Sequence, residues 1–262
     1  MDNFVSFDGL GSTFLHNIYG SSKGRIRTDL IGEDLDFILE LMKDRGSLSV
    51  LDLGCGTGFF SSRLAALGHH ADLCDVSEEM IAEAEKFAAA QHTQQNMNFF
   101  CASAFELPCQ ITGRTYDLLL CHAVMEWVED QRKLLEIIKS RLSPGGELSL
   151  LVYNRDALLY QSLIVGNFNY ISCNFQSKHR QKLTPKYPVV PAELEQTLQE
   201  LGFTIQRKTG IRVFHDYVRD KKIQTEKFDE ILKYEKTYAR DPRFINLGRY
   251  IHYICRNDHD LP

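Results

Sequence analysis

The run Val50-Leu-Asp-Leu-Gly-Cys-Gly-Thr-Gly58 constrains this 262-residue chain more than any other stretch. An apolar segment, Leu48 to Leu53, gives way to glycines at 54, 56 and 58, and apolar periodicity resumes from Phe59 to Leu67. A short apolar run bounded by turn residues predicts a buried strand, and the periodic segment behind it predicts a helix. A turn with three alternate glycines lets the backbone come close to a ligand, because no Cβ intervenes. The helix that follows opens with N–H groups that have no intrahelical partner. Strand, glycine turn and helix in this order predict a site for a nucleotide-type ligand.

The alternation continues along the chain. Leu30, Ile31, Leu35, Ile38, Leu39 and Met42 recur at helical spacing and predict a helix over 28–43. Strand 48–53, helix 58–67 and strand 71–75 follow. Ser77 before Glu78-Glu79 and Met80-Ile81 is a cap-like start for a helix over 78–91. Strands are expected at 97–101, 116–121 and 147–153, with a helix at 130–142 that ends at the breaker cluster Pro144-Gly145-Gly146. Residues 156–170 have partial helical character. The last part reads as helix 192–201, strand 203–213, helix 223–238 and strand 248–255. Strands alternating with helices predict an α/β fold, a mostly parallel sheet with helices on both faces and right-handed crossovers. One domain over 1–262 is expected: an N-terminal arm and helix (1–45), a cofactor-binding half (46–153), an insertion facing substrate (154–191) and a C-terminal half (192–262).

Composition excludes several classes. No stretch approaches the roughly 18 apolar residues of a membrane span. The Met-Asp-Asn-Phe start has neither a basic nor an apolar signal region. Seven cysteines, an odd number without a C-x-x-C pair, argue against a disulfide framework or a zinc site and for the cytoplasm. Cys55, Cys74 and Cys121 read as small core hydrophobes. Net charge is −5, but unevenly spread: residues 1–150 carry 12 basic and 22 acidic side chains, residues 151–262 carry 18 and 13. Such polarity points to an anionic partner for the second half, or to a solvated basic face.

Spacing sets this turn apart from the dinucleotide type. The dinucleotide fingerprint is G-x-G-x-x-G; here the last glycine falls one position early and Asp52 precedes the first by two. Asp-x-Gly-x-Gly-x-Gly resembles motif I of the class I S-adenosylmethionine-dependent methyltransferases. In that group an acid at the tip of the next strand holds the cofactor ribose, and Asp75 ends His70-Ala-Asp-Leu-Cys-Asp75, about 20 residues beyond the glycines.

Further signals fall at predicted strand ends. Arg25 and Arg27 precede the first strand, within reach of a carboxylate or simply on an exposed basic loop. His122 closes the apolar run 116–121. Thr209-Gly-Ile-Arg-Val-Phe-His-Asp-Tyr217 mixes Arg, His, Asp and aromatics past another apolar run, which is costly to bury and suits a substrate-facing surface. Together with Asn17-Ile-Tyr-Gly20, Lys23-Gly24, His122-Ala-Val, Glu126-Trp-Val128, Gly166-Asn-Phe168, Leu183-Thr-Pro185, Tyr187-Pro188 and Ile245-Asn-Leu-Gly-Arg-Tyr-Ile-His252, these strings closely resemble the bacterial tRNA 5-carboxymethoxyuridine methyltransferases. The resemblance covers almost the whole chain.

What the resemblance implies is a Rossmann-like class I methyltransferase fold with a seven-stranded sheet, and S-adenosyl-L-methionine as cofactor. It implies methyl transfer to the carboxylate of 5-carboxymethoxyuridine at the tRNA wobble position, with the anticodon loop as partner and no metal. Carried onto this sequence, the cofactor contacts are Arg27, Gly54, Cys55, Asp75, Ala104, Phe105 and His122. The family can carry Gly where Cys55 stands. Arg212, Tyr217 and Arg249 are candidates for positioning substrate, and no residue is assigned as general base. Basic residues at 178–186 and 219–222 suit phosphates, although His179 and Gln181 dilute the first run. The residues alone leave open a small-molecule carboxyl or quinone-precursor methyltransferase, and a cofactor-binding module without turnover.

Overall fold

The computed structural model describes residues 21–176 and 185–258. The arm expected at 4–20, the string Asn17–Gly20, Leu183-Thr184 and the basic run from 178 to 184 lie outside the described residues.

Among the described residues, seven strands form one sheet in the order β3-β2-β1-β4-β5-β7-β6. The strands are β1 (Ser49–Leu53), β2 (His70–Asp75), β3 (Met97–Cys101), β4 (Tyr116–His122), β5 (Leu142–Tyr153), β6 (Phe203–Ile211) and β7 (Tyr250–Asn257). Strand β7 runs antiparallel to β5 and β6; the pairs from β3 through to β5 are parallel. The chain winds outward from β1 to β3, then returns to place β4 and β5 on the other side. The order therefore reverses between β1 and β4, and a crevice opens at their carboxyl ends.

Helices cover both faces, so the central strands are apolar on both. On one face, α1 (Ser22–Leu41), α2 (Phe59–Ala66), α3 (Glu78–Ala90) and the later α9 (Phe228–Tyr238) pack Ile26, Leu30, Leu64, Ala84 and Ile231 with Val50 and Leu118. On the other, α4 (Gln131–Arg141) and α7 (Pro191–Glu200) pack Leu134, Ile138 and Leu194 with Leu51, Leu53, Leu119 and Cys121. Between them lie the short helices α5 (Arg155–Ile164), α6 (Phe168–Ser172) and α8 (Lys221–Glu226). No helix among the described residues is long and apolar enough to cross a membrane.

Four boundaries differ from the sequence expectation. Helix α1 starts at Ser22 rather than at 28, because Ser21 caps it by accepting from Gly24 N at 3.1 Å. Its first turn holds Lys, Gly and Arg, so apolar periodicity does not register it. Pro144-Gly145-Gly146 is a bulge inside β5 rather than a stop: Leu142 already pairs with Tyr116, and pairing resumes at Glu147–Leu118. The helix expected at 223–238 is two, α8 and α9, divided at Lys227. The partly helical 156–170 resolves into α5 and α6 around Gly166, whose φ is +71°. All seven cysteines are free thiols; Cys74 and Cys121 are buried, whereas Cys55 sits half-buried in the glycine turn.

Candidate active site

The glycine turn caps β1 with a backbone that only glycine adopts cheaply: φ is +67° at Gly54 and +65° at Gly58. A Cβ at Gly54 would run into Val124 Cγ2, and one at Gly58 would meet Leu73 Cδ2 at 2.7 Å. Gly54 N and Cys55 N both donate to Cys74 O, at 2.8 and 3.0 Å. The turn is thereby fastened to the tip of β2. Asp75, at that tip, strengthens the fastening: its Oδ2 accepts from Gly56 N at 2.9 Å and its Oδ1 from Ser77 N at 3.0 Å. Behind the turn, buried Asp52 accepts from Ser61 Oγ at 2.5 Å. Burial pushes its carboxyl up to about 7, against the Ser61 bond and with help from the Asp75 charge. Helix α2 opens at Gly58, which makes no side-chain cap among the described residues, and its start carries the positive end of the helix dipole. A side-chain-free turn, an uncapped helix start and a carboxylate on the next strand fit an adenosine-bearing ligand.

The tip of β4 faces this turn across the switch point. His122 Nε2 lies 2.8 Å from Ser149 Oγ, and its ring meets Phe60 edge-on at 5.3 Å. Burial, with the charge of Arg27, holds the imidazole well below its ordinary range, so it is neutral. Glu126 is buried, and its Oε2 has no hydrogen-bond partner among the described residues. Burial pushes that carboxyl up to about 7, tempered by backbone hydrogen bonding and the charge of Arg27. Ala104 and Phe105, after β3, pack half-buried against the apolar cluster on the α4 side.

Arg27, on α1, lies over the Tyr250 ring at 5.5 Å, and so does Arg212, just past β6. Arg249, just before β7, donates from Nη1 to Tyr153 Oη at 3.0 Å and from Nε to Asp216 Oδ2 at 3.1 Å. Arg212 Nη2 stands 3.6 Å from the same Asp216 oxygen. Burial would raise Asp216, but its His215 bond and the two arginines hold it well below the carboxylate range. Tyr153 and Tyr250 meet edge-on at 5.3 Å. The structure thus gathers Arg27, Arg212 and Arg249 around a Tyr153–Tyr250 pair. Tyr217 borders this group and interacts with Arg249, Asp216 and Tyr153; its hydroxyl donates to Leu247 O at 2.9 Å, and its ring meets Tyr160 at 5.6 Å.

Sequence reasoning passed over Tyr153, Glu126 and Glu235 as functional residues. Tyr153 closes the strand expected at 147–153, and nothing in that run sets it apart from its neighbours. Glu235 carries no local signal, because its partners lie about twenty residues earlier on another element: it accepts from Val213 N and Phe214 N at 2.9 Å and from His215 N at 2.7 Å. Among the described residues no group of three or more His, Cys, Asp or Glu is placed to hold a metal ion.

Known proteins match this geometry. Residues 44–236 match the family model described as methyltransferase domain. The chain is 40% identical over 251 residues to the tRNA 5-carboxymethoxyuridine methyltransferase of Escherichia coli strain K12, covering 96% of this chain and 95% of that one. A more distant relative, the ubiquinone biosynthesis O-methyltransferase of Aeromonas salmonicida, is 26% identical over 183 residues, 68% of this chain and 71% of its own. In fold, the chain resembles magnesium protoporphyrin IX methyltransferase from Synechocystis PCC 6803, solved with SAH, with a TM-score of 0.63, 18% identity and 96% and 95% coverage. It also resembles the plantazolicin methyltransferase BpumL in complex with SAH, with a TM-score of 0.61, 18% identity and 97% and 92% coverage. S-adenosyl-L-methionine is the cofactor of this fold. The chain belongs to the methyltransferase-domain family and, within it, to the tRNA 5-carboxymethoxyuridine methyltransferases.

Proposed function

We propose that this enzyme esterifies the carboxylate of 5-carboxymethoxyuridine at the tRNA wobble position, using the methyl group of S-adenosyl-L-methionine. The observation that carries this reading is the pair Arg212 and Arg249 sharing Asp216 beside Tyr153 and Tyr250. Two guanidiniums on one carboxylate leave a net positive charge to meet a second one. Tyrosine faces beside it suit an unstacked base from the anticodon loop. In our reading Arg27, Gly54, Cys55, Asp75, Ala104, Phe105 and His122 hold the cofactor.

The bound cofactor supplies a methyl group activated by its sulfonium. A substrate carboxylate ionises at about pH 4, so it is already a nucleophile at neutral pH and no general base is required. The protein's contribution is alignment of carboxylate oxygen with methyl carbon. Because Asp216 shares Arg212 and Arg249, the clamp orients the substrate without pairing it so tightly that its oxygen loses nucleophilicity. Exposed Arg219, Lys221 and Lys222 suit phosphate contacts, and tRNA affinity then falls steeply with salt. The insertion 154–191 faces the tRNA in this reading, and the reaction belongs to the cytoplasm, where seven free thiols stay reduced.

Purified enzyme, S-adenosylmethionine and tRNA bearing the free acid are expected to yield the methyl ester on nucleoside mass spectrometry. Methylation of small carboxylic acids, with tRNA left unchanged, overturns the reading.

A further inference from the structure

A buried polar file crosses the sheet behind the cofactor turn. It begins at Asp34 on α1, passes His252 on β7 and Ser149 on β5, and ends at His122 on the tip of β4. Asp34 Oδ2 to His252 Nδ1, His252 Nε2 to Ser149 Oγ, and Ser149 Oγ to His122 Nε2 are each 2.8 Å. Asp34, His252 and Ser149 are all fully buried. Arg240 donates to Asp34 Oδ1 through Nη2 at 2.8 Å and Nε at 3.2 Å, and Arg207 Nη1 lies 3.4 Å from the same oxygen.

The protons in this file can be assigned one after another. Burial raises the Asp34 carboxyl, but the hydrogen bond from His252 and the charge of Arg240 win and hold it at about 2. An ionised carboxylate only accepts, so His252 Nδ1 carries a proton. Arg240 and Arg207 already meet the Asp34 charge, so the bond asks of His252 one proton only, at Nδ1. Neutral His252 then presents a lone pair at Nε2, and Ser149 donates its one proton there. With that proton used, Ser149 Oγ accepts from His122 Nε2–H.

We propose that Asp34, His252 and Ser149 are positioning residues that lock His122 as its Nε2–H tautomer, so that Nδ1 is the acceptor it offers to a hydrogen-bond donor of the cofactor. The cofactor end of this inference rests on the proposed role of His122; the tautomer does not. The file spans elements more than a hundred residues apart in sequence, so it ties the ring's orientation to the packing of α1 and β7 on the sheet. Buried polar files of this kind are stable only when every member is satisfied, and here each bond is made.

Long-range proton–nitrogen NMR on the isotope-labelled full chain, without ligand and at mildly alkaline pH, reads the tautomer directly. The His122 ring is expected as Nε2–H; an Nδ1–H ring overturns the proposal. Ser149→Ala removes the hydroxyl without adding bulk. It is expected to leave a mixture of His122 tautomers and to weaken S-adenosylhomocysteine binding, measured by calorimetry, about tenfold, the scale of one buried hydrogen bond. Unchanged tautomer and unchanged affinity in that variant also overturn it. Neither readout involves tRNA, so failure here leaves the substrate assignment untouched.

Discussion

The backbone N–H of His215 donates to Glu235 Oε1 at 2.7 Å, and Val213 and Phe214 donate to the same carboxylate. One buried side chain from α9 therefore sets the course of the loop that carries Arg212 and Asp216. Burial raises the Glu235 carboxyl above its ordinary value, and these three bonds offset only part of that rise. Glu235→Gln keeps one oxygen and loses the other as an acceptor. It is expected to cost about 1–3 kcal/mol of stability, the penalty of leaving buried donors unmatched. KM for tRNA should rise while S-adenosylhomocysteine affinity holds. Denaturant unfolding, steady-state kinetics and calorimetry check the three parts; a loss of cofactor binding alone would place Glu235 in a different role.

Asp75 is a second test of the crevice. Its two oxygens already receive Gly56 N and Ser77 N, so it both shapes the turn and, in our reading, holds the ribose. Asp75→Asn preserves an acceptor for the turn and removes the charge. S-adenosylhomocysteine binding should weaken by about 1–3 kcal/mol in calorimetry, through loss of charge-assisted hydrogen bonds. Equal binding would mean that another acid holds the sugar.

Gly58→Ala, set beside Gly68→Ala, separates backbone strain from a clash with the core. The residue sits at φ +65°, and an added Cβ would meet Leu73 Cδ2 at 2.7 Å. Gly68, at φ +90°, has open space around its Cβ position. Both alanine variants carry the conformational penalty of about 1 kcal/mol or more; only Gly58→Ala adds a clash with the core. Thermal unfolding should therefore show a larger drop for Gly58→Ala than for Gly68→Ala. Equal drops would show that Leu73 yields without cost.

Asp52 makes stability depend on pH in a direction opposite to that of a salt-bridged acid. Its folded carboxyl is pushed up to about 7, whereas an unfolded aspartate ionises at about 4. Between these values the unfolded chain loses the proton and the folded chain keeps it. Stability from this group is complete below about pH 4, falls as pH rises toward 7, and levels off above that. Asp52→Asn retains an acceptor for Ser61 and abolishes the titration. The stability of Asp52→Asn relative to the parent should rise by more than about 1 kcal/mol between about pH 4 and about pH 8. Glu126 and Glu147, also pushed up to about 7, are present in both proteins and cancel in the difference. A pH-independent difference would show that Asp52 is ionised throughout.

What was legible in the sequence was local. The apolar run at 116–121 could only be a buried strand, and Ser77 before two glutamates marked its helix start, where its hydroxyl does accept from Met80 N at 3.3 Å. The glycine turn was legible because its geometry is demanded of three residues in a row of five. The Arg–Tyr cluster was half legible: Arg212 and Arg249 stood out, but Tyr153 and Tyr250 looked like ordinary strand residues until the sheet set them side by side. Ser149 carried no signal, and His252 only closed the string 245–252 without pointing to a partner. They lie on strands separated by about a hundred residues, and a histidine inside an apolar run reads as an interruption until Asp34 is found against it. Pro144-Gly145-Gly146 misled because a breaker cluster and a bulge use the same residues; only pairing with β4 on both sides tells them apart.

Arg212 offers a test in which activity falls while stability holds. Its φ is +63°, a left-handed conformation that a non-glycine residue holds at a cost of about 1 kcal/mol. The strain is sustained by a loop tied down through Glu235, and it aims the guanidinium at Tyr250 and Asp216. Arg212→Gly relieves the backbone and removes the guanidinium. Half of the Asp216 neutralisation goes with it, while Arg249 still donates to Asp216 at 3.1 Å, so the remaining charge is not orphaned. Unfolding midpoints should therefore stay within about 1 kcal/mol of the parent. The kcat/KM for carboxylate-bearing tRNA should fall at least about tenfold, because one of the guanidiniums assigned to the substrate is gone. Arg212→Lys, which keeps the charge and the strained backbone but not the planar fork, should recover only part of that loss. Full activity in Arg212→Gly would move the carboxylate site to Arg249 and Arg27.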